Sequence, residues 1–207
     1  MAVLLGATLV AFASGCSSEL DPSDPEGAYY IFRDALLEQD AETLWERTDE
    51  ETHAYYQARY DDLVEMDETI DRYLPQTDHK IARQQSGTVL LDEIDDGKGL
   101  FLKTFVPDDL PDEEAIKVGS DIDEIKLAED ESSAKIITRA DQEYVLTRDE
   151  KTDQWRVMLV RSTDTVEKSF AWLDTNHSAL QQTVEDLMAE EREKREAIIA
   201  ELLNKKE

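Results

Sequence analysis

The hydrophobic period of this chain changes twice, and those changes dictate the order of its elements. Apolar residues recur at helical spacing up to Pro107, in short strand-like runs after Pro111, and at helical spacing again from Asp164 or Thr165 nearly to the end. Helices first, strands next and a helix last is an α+β arrangement. It predicts N-terminal helices packed on a curved antiparallel sheet, followed by a long C-terminal helix.

Pro25 suits a first helical turn, with Asp24 as its cap and Glu26 beside it; Ala28, Tyr29, Phe32, Ala35 and Leu36 then share one face. Gln39-Asp40 breaks the pattern before a short helix, Ala41 to Arg47, with Leu44 and Trp45 inward. Thr48 or Asp49 caps a longer helix striped by Tyr56, Tyr60, Leu63, Ile70 and Leu74 and stopped by Pro75. Ile81, Val89, Leu90, Leu91 and Ile94 suggest a further helix interrupted at Asp95–Gly99, with a short apolar element from Leu100 to Phe105. Ile116–Val118, Ile122–Leu127, Ala134–Arg139, Tyr144–Thr147 and Trp155–Val160 read as strands of an antiparallel meander joined by polar turns.

In the last helix Phe170, Leu173, Leu180, Val184, Leu187 and Met188 suit docking on the body. Glu190–Glu196 is wholly charged, with favourable pairs Glu190–Lys194 and Glu191–Arg195, and Glu201–Lys205 follows. Ala197–Leu203 then restores an apolar stripe. A continuous helix here spans about 60 Å at 1.5 Å per residue, and its tip requires cover from its own body or from another chain.

An apolar fraction of 40 % and an aromatic fraction of 7 % are those of a folded protein. Fifty acidic residues against 22 basic ones give a formal charge of −28, which disfavours nucleic acid and anionic lipid surfaces as partners. The acidic residues are spread along the whole chain, the pattern of a solvated surface suited to high salt.

Residues Ala2 to Phe12 are uncharged, too few to span a bilayer as a helix but enough for the core of a signal peptide. Small residues lead into the single cysteine in Ala13-Ser14-Gly15-Cys16, followed by the polar Ser17-Ser18-Glu19. This stretch resembles the lipobox of bacterial lipoproteins, with Ala13 where that pattern usually has leucine. The resemblance implies cleavage before Cys16, lipid on its sulfur (palmitate among the acyl chains), and a protein held in the cell envelope, at the outer membrane facing the periplasm. The competing readings are an ordinary secretory signal that leaves a free thiol, or an uncleaved apolar arm.

Pro25-Glu26-Gly27-Ala28-Tyr29-Tyr30-Ile31-Phe32-Arg33-Asp34-Ala35-Leu36 with Asp40 and Leu44-Trp45, together with Glu143–Arg148 and Gln154-Trp155-Arg156-Val157, resembles the nuclear transport factor two-like superfamily of cone-shaped domains. The resemblance implies a sheet curved around helices with a pocket at its open end. The material from Asp78 to Pro107 and the helix after Val160 are additions to that minimal cone. The chain thus divides into a signal segment (1–15), a polar tether (16–24), the cone domain (25–162) and a charged amphipathic helix (163–207).

Site chemistry is sparse. His53, His79 and His177 read as exposed polar histidines, none at metal-ligand spacing from another. Asp92–Gly97 superficially matches a calcium loop, but Ile94 and Lys103 occupy ligand positions. Gly97-Lys98-Gly99 is too short to cradle phosphate, and no serine sits in a nucleophile elbow. Asp121–Glu124 reads as a solvated strand edge. Tyr29, Trp45, Tyr56 and Tyr60 suit either a core or a pocket wall. No catalytic, cofactor or metal residue is assigned, and Cys16 is the one candidate site residue. The reading is a non-enzymatic lipoprotein with a binding or scaffolding role, whose last helix contacts a protein partner or another copy. The alternative is a hydrolase or isomerase working in the cone.

Overall fold

The computed structural model describes residues 20–105, 113–162 and 165–205. Its fold is mixed: helices, then a four-stranded antiparallel sheet, then a long terminal helix. Three aspartates start the first three helices. Asp24 accepts from Gly27 N to open α1 (Pro25–Leu37), Asp40 accepts from Thr43 N to open α2 (Ala41–Arg47), and Asp49 opens α3 (Glu50–Tyr73). The chain leading into α1 is fixed to the sheet, since Trp155 N donates to Pro22 O at 2.8 Å. Residues 21–24, within the expected tether, are therefore held against the body.

Asp49 is the most buried of these caps, at 4 % exposure. Its Oδ1 accepts from Thr52 N (3.0 Å) and Thr52 Oγ1 (2.6 Å), while its own N–H donates to Val157 O (3.1 Å), so one residue joins α3 to the sheet. Asp49→Ala removes the acceptor and strands buried donors. The expected loss is about 2 kcal/mol, read from the urea midpoint, with much of it recovered in Asp49→Asn.

Beyond Pro75 the sequence pattern and the structure part. Gly87, at φ 86°, ends α4 (His79–Ser86) and turns the chain into a 3-10 turn (Thr88–Asp92) before α5 (Gly97–Thr104). That break leaves Ile81 and Val89 exposed, while Ile94 is buried. Ile116–Val118, expected as a strand, lies in α6 (Glu113–Gly119), where Ser120 N donates to Ile116 O at 2.9 Å. Three residues are too few to carry a strand against a helical run that already contains Glu113-Glu114-Ala115.

The strands β1 (Ile122–Leu127), β2 (Ser133–Thr138), β3 (Glu143–Arg148) and β4 (Trp155–Val157) pair in sequence order. Glu131, Asp141 and Asp153 take positive φ in the three connecting turns. β2 alternates faces, burying Ala134, Ile136 and Thr138. One inward row, Ala134–Leu146–Val157, meets the helices, while Leu127, paired with Ala134 on β1, is left exposed. β4 is shorter than expected because Leu159–Ser162 turns into a short helix, α7. After α8 (Thr165–Ser169), Phe170 breaks the helical run, and α9 (Ala171–Asn204) continues unbroken for 34 residues, about 51 Å.

Candidate functional site

Of the aromatic residues expected either in a core or on a pocket wall, Tyr29 and Tyr56 fill the interior, whereas Trp45 is partly buried beside a surface cleft. Tyr29 and Tyr56 are each 1 % exposed. Tyr29 Oη donates to Ser120 O at 2.8 Å, and its ring packs on Tyr144 at 5.1 Å. Tyr56 sits edge-on to Phe101 (5.1 Å) and Phe170 (5.4 Å), and Tyr60 is half-buried against the same core. Burial pushes the phenols of both Tyr29 and Tyr56 far above the usual tyrosine range, so each is a neutral side chain at any physiological pH.

All three histidines are less exposed than expected, and aromatic or ionic neighbours cover His53 and His79. His53 stacks on Trp45 at 3.9 Å, and its Nε2 lies 3.0 Å from Trp45 O and 3.1 Å from Thr48 Oγ1. That hydroxyl beside an imidazole has the elements of a nucleophile and base, but Thr48 is fully buried and its Oγ1 already donates to Trp45 O at 2.8 Å. No substrate carbonyl reaches it. His79 faces Asp71 across 3.1 Å and contacts Leu74 O, while His177 Nε2 lies 3.1 Å from the Gln181 side-chain amide.

The acidic motifs serve the fold. Asp96 caps α5 by accepting from Gly99 N, and Ile94 behind it is 6 % exposed. Asp121 joins Arg33 of α1 to Arg139, each at 3.1 Å. Among the described residues no three His, Cys, Asp or Glu side chains converge on one point.

Surface clefts are shallow. One of about 370 Å³ lies beside Trp45, His53 and Arg156, where Arg156 is held by Asp149 (3.3 Å) and Glu46 O (2.7 Å). Another of about 180 Å³ opens where α9 leaves α4, lined by Leu74, Ala82, Leu180 and Thr183. Neither brings a nucleophile to a base.

The largest uncovered feature is α9. Leu173, Leu180 and Val184 dock it on the body. From Met188 to Lys205 every residue is exposed, so the stripe beyond the charged turn does not fold back. Met188 is 50 % exposed, Ile198 59 %, Ile199 51 %, Leu202 59 % and Leu203 64 %. Lys194–Glu190 and Lys205–Glu201 pair along the helix, and among the described residues Glu191 and Arg195 have no ion-pair partner. An α+β body carrying a projecting amphipathic arm is the class of molecule these features define. Comparison of the chain with protein-family models, curated proteins and solved structures finds no match. Cys16, the expected lipidation site, lies outside the described residues, and no described helix is long and apolar enough to cross a membrane.

Proposed function

We propose that this chain is a lipid-anchored protein of the bacterial cell envelope, at the outer membrane facing the periplasm, with a scaffolding rather than an enzymatic role. Its body is read as an extended nuclear transport factor two-like domain and its last helix as a protein-contact arm. One observation carries the scaffolding reading. The interior is packed with aromatic rings, whereas α9 bares Ile198, Ile199, Leu202 and Leu203 to solvent. Apolar side chains left bare along a helix are the signature of a contact surface, and a filled core has no room for substrate.

The anchor rests on the resemblance at Ala13–Cys16. Each buried lipid methylene contributes roughly 0.8 kcal/mol, so several acyl chains hold a protein firmly. Only four residues, five Cα–Cα steps, separate Cys16 from Asp21, where the body begins. That length spans at most about 18 Å and keeps the body close to the bilayer. Expression of the full-length chain in a bacterial host tests this by intact mass and detergent partitioning. The expected product has lost residues 1–15, gained acyl mass and moved to the detergent phase, and Cys16→Ser shows none of these changes. Aqueous partitioning of the unmodified wild-type chain overturns the anchor.

A further inference from the structure

We infer that the bare face of α9 is a self-pairing surface, taken by the same face of a second copy running antiparallel and centred on residue 193. The inference rests on the scaffolding reading and names the partner of its arm. The stripe that docks α9 on its own body, Leu173, Leu180 and Val184, continues past the body through Leu187, Met188, Glu191, Arg195, Ile198 and Leu202. Steps of three and four residues keep all of these on one face.

Charge decides the direction of pairing. In a parallel pair Glu191 meets Glu191 and Arg195 meets Arg195, two like-charge contacts at the centre of the seam. In an antiparallel pair, positions whose numbers average 193 stand at one height. Glu191 then faces Arg195 of the other copy, twice by symmetry, and these are the two seam charges with no ion-pair partner in α9. The same register sets Met188 opposite Ile198 and Leu187 opposite Ile199, and ends where Val184 is already covered by the body. It brings Leu202 and Leu203 to the mouth of the cleft lined by Leu74, Ala82 and Leu180. Opposed apolar residues with a central charge pair are how helix seams specify register.

The rest of the charge agrees. The whole chain carries −28, but residues 190–205 hold five acidic and four basic side chains, so like-charge repulsion is weakest on this segment. Burying the bare side chains on both arms removes on the order of 1,000 Å² of surface in total, the low end for a specific interface. The pair is therefore weak in dilute solution and strengthened by confinement to one membrane. The two-fold axis lies perpendicular to the arms, which lets both anchors face the same bilayer.

Cysteine cross-linking of the full chain, in a Cys16→Ser background that leaves the new thiols alone, reads the register without using the anchor. A mixture of Glu191→Cys and Arg195→Cys chains should form mixed disulfides several-fold faster than either alone, and Glu193→Cys, on the far side of the helix, should form few. In sedimentation, Arg195→Glu alone should weaken association by roughly tenfold, and mixing it with Glu191→Arg should restore it. Same-site disulfides outpacing mixed ones, or a chain that stays monomeric and shows no mixed disulfide, overturns the inference. Either result leaves the lipid anchor to be judged by its own mass and partitioning data.

Discussion

Phe101→Ala should lower the stability of the body by about 3–5 kcal/mol, the range for removing a fully buried aromatic ring. Phe101 has no exposed surface and sits where three helices meet. Its ring lies 5.1 Å from Tyr56 of α3, 5.1 Å from Trp45 of α2 and 4.8 Å from Phe105. Deleting it leaves a void whose walls are aromatic rings on separate helices. Those rings are too rigid to close the gap, so both transfer energy and dispersion contacts are lost. Urea unfolding checks this, with the midpoint falling and the slope unchanged. A loss below about 1 kcal/mol would mean that α5 is a loose appendage. Phe101→Leu should recover more than half of the loss, because it keeps most of the volume.

Gly97→Ala should cost about 3 kcal/mol, although it adds only a methyl group. A Cβ at residue 97 would stand 2.5 Å from Gln57 N, 2.6 Å from Gln57 Cα and 2.8 Å from Tyr56 C, all backbone atoms of α3. Backbone inside a 24-residue helix cannot rotate away as a side chain would, so α5 must lift off. Lifting also strains the bond from Gly97 N to Gln57 Oε1, now 3.0 Å, and the packing of Leu100 and Phe101. Gly119→Ala is the matched control. There a Cβ meets Ala140 Cβ at 3.4 Å, and the added side chain should be tolerated within about 0.5 kcal/mol. Equal losses at both positions, measured by thermal and urea unfolding, would remove close helix crossing as the cause.

Most of the element order was legible because its causes are local. Asp24, Asp40 and Asp49 announce helices because a cap acts on backbone N–H groups two or three residues away. The β2–β3 hairpin was legible from alternation and a polar turn. Ile116–Val118 was misread because β-branched side chains in so short a run occur in helices and strands alike. The single helix expected beyond Asp78 was divided by Gly87, whose left-handed backbone sits against the Trp172 ring, a contact between residues 85 positions apart in the chain. His53 and its stack on Trp45 carried no sequence signal either. The pairing depends on how α2 meets α3, not on any spacing within one helix.

The long last helix shows where sequence stops. Leu180 and Val184 on one side of the charged turn, and Ile198 and Leu202 on the other, follow the same period and have the same apolar character. The pattern alone established that they share a face of one continuous helix. Only the tertiary structure decided that the first two are covered, at 8 % exposure each, and that the last two are bare, at 59 % each. Periodicity is set by the backbone of the helix itself, whereas cover depends on where α3 and α4 end, and that follows from packing around Tyr56, Leu63 and Ile70 far away in the chain.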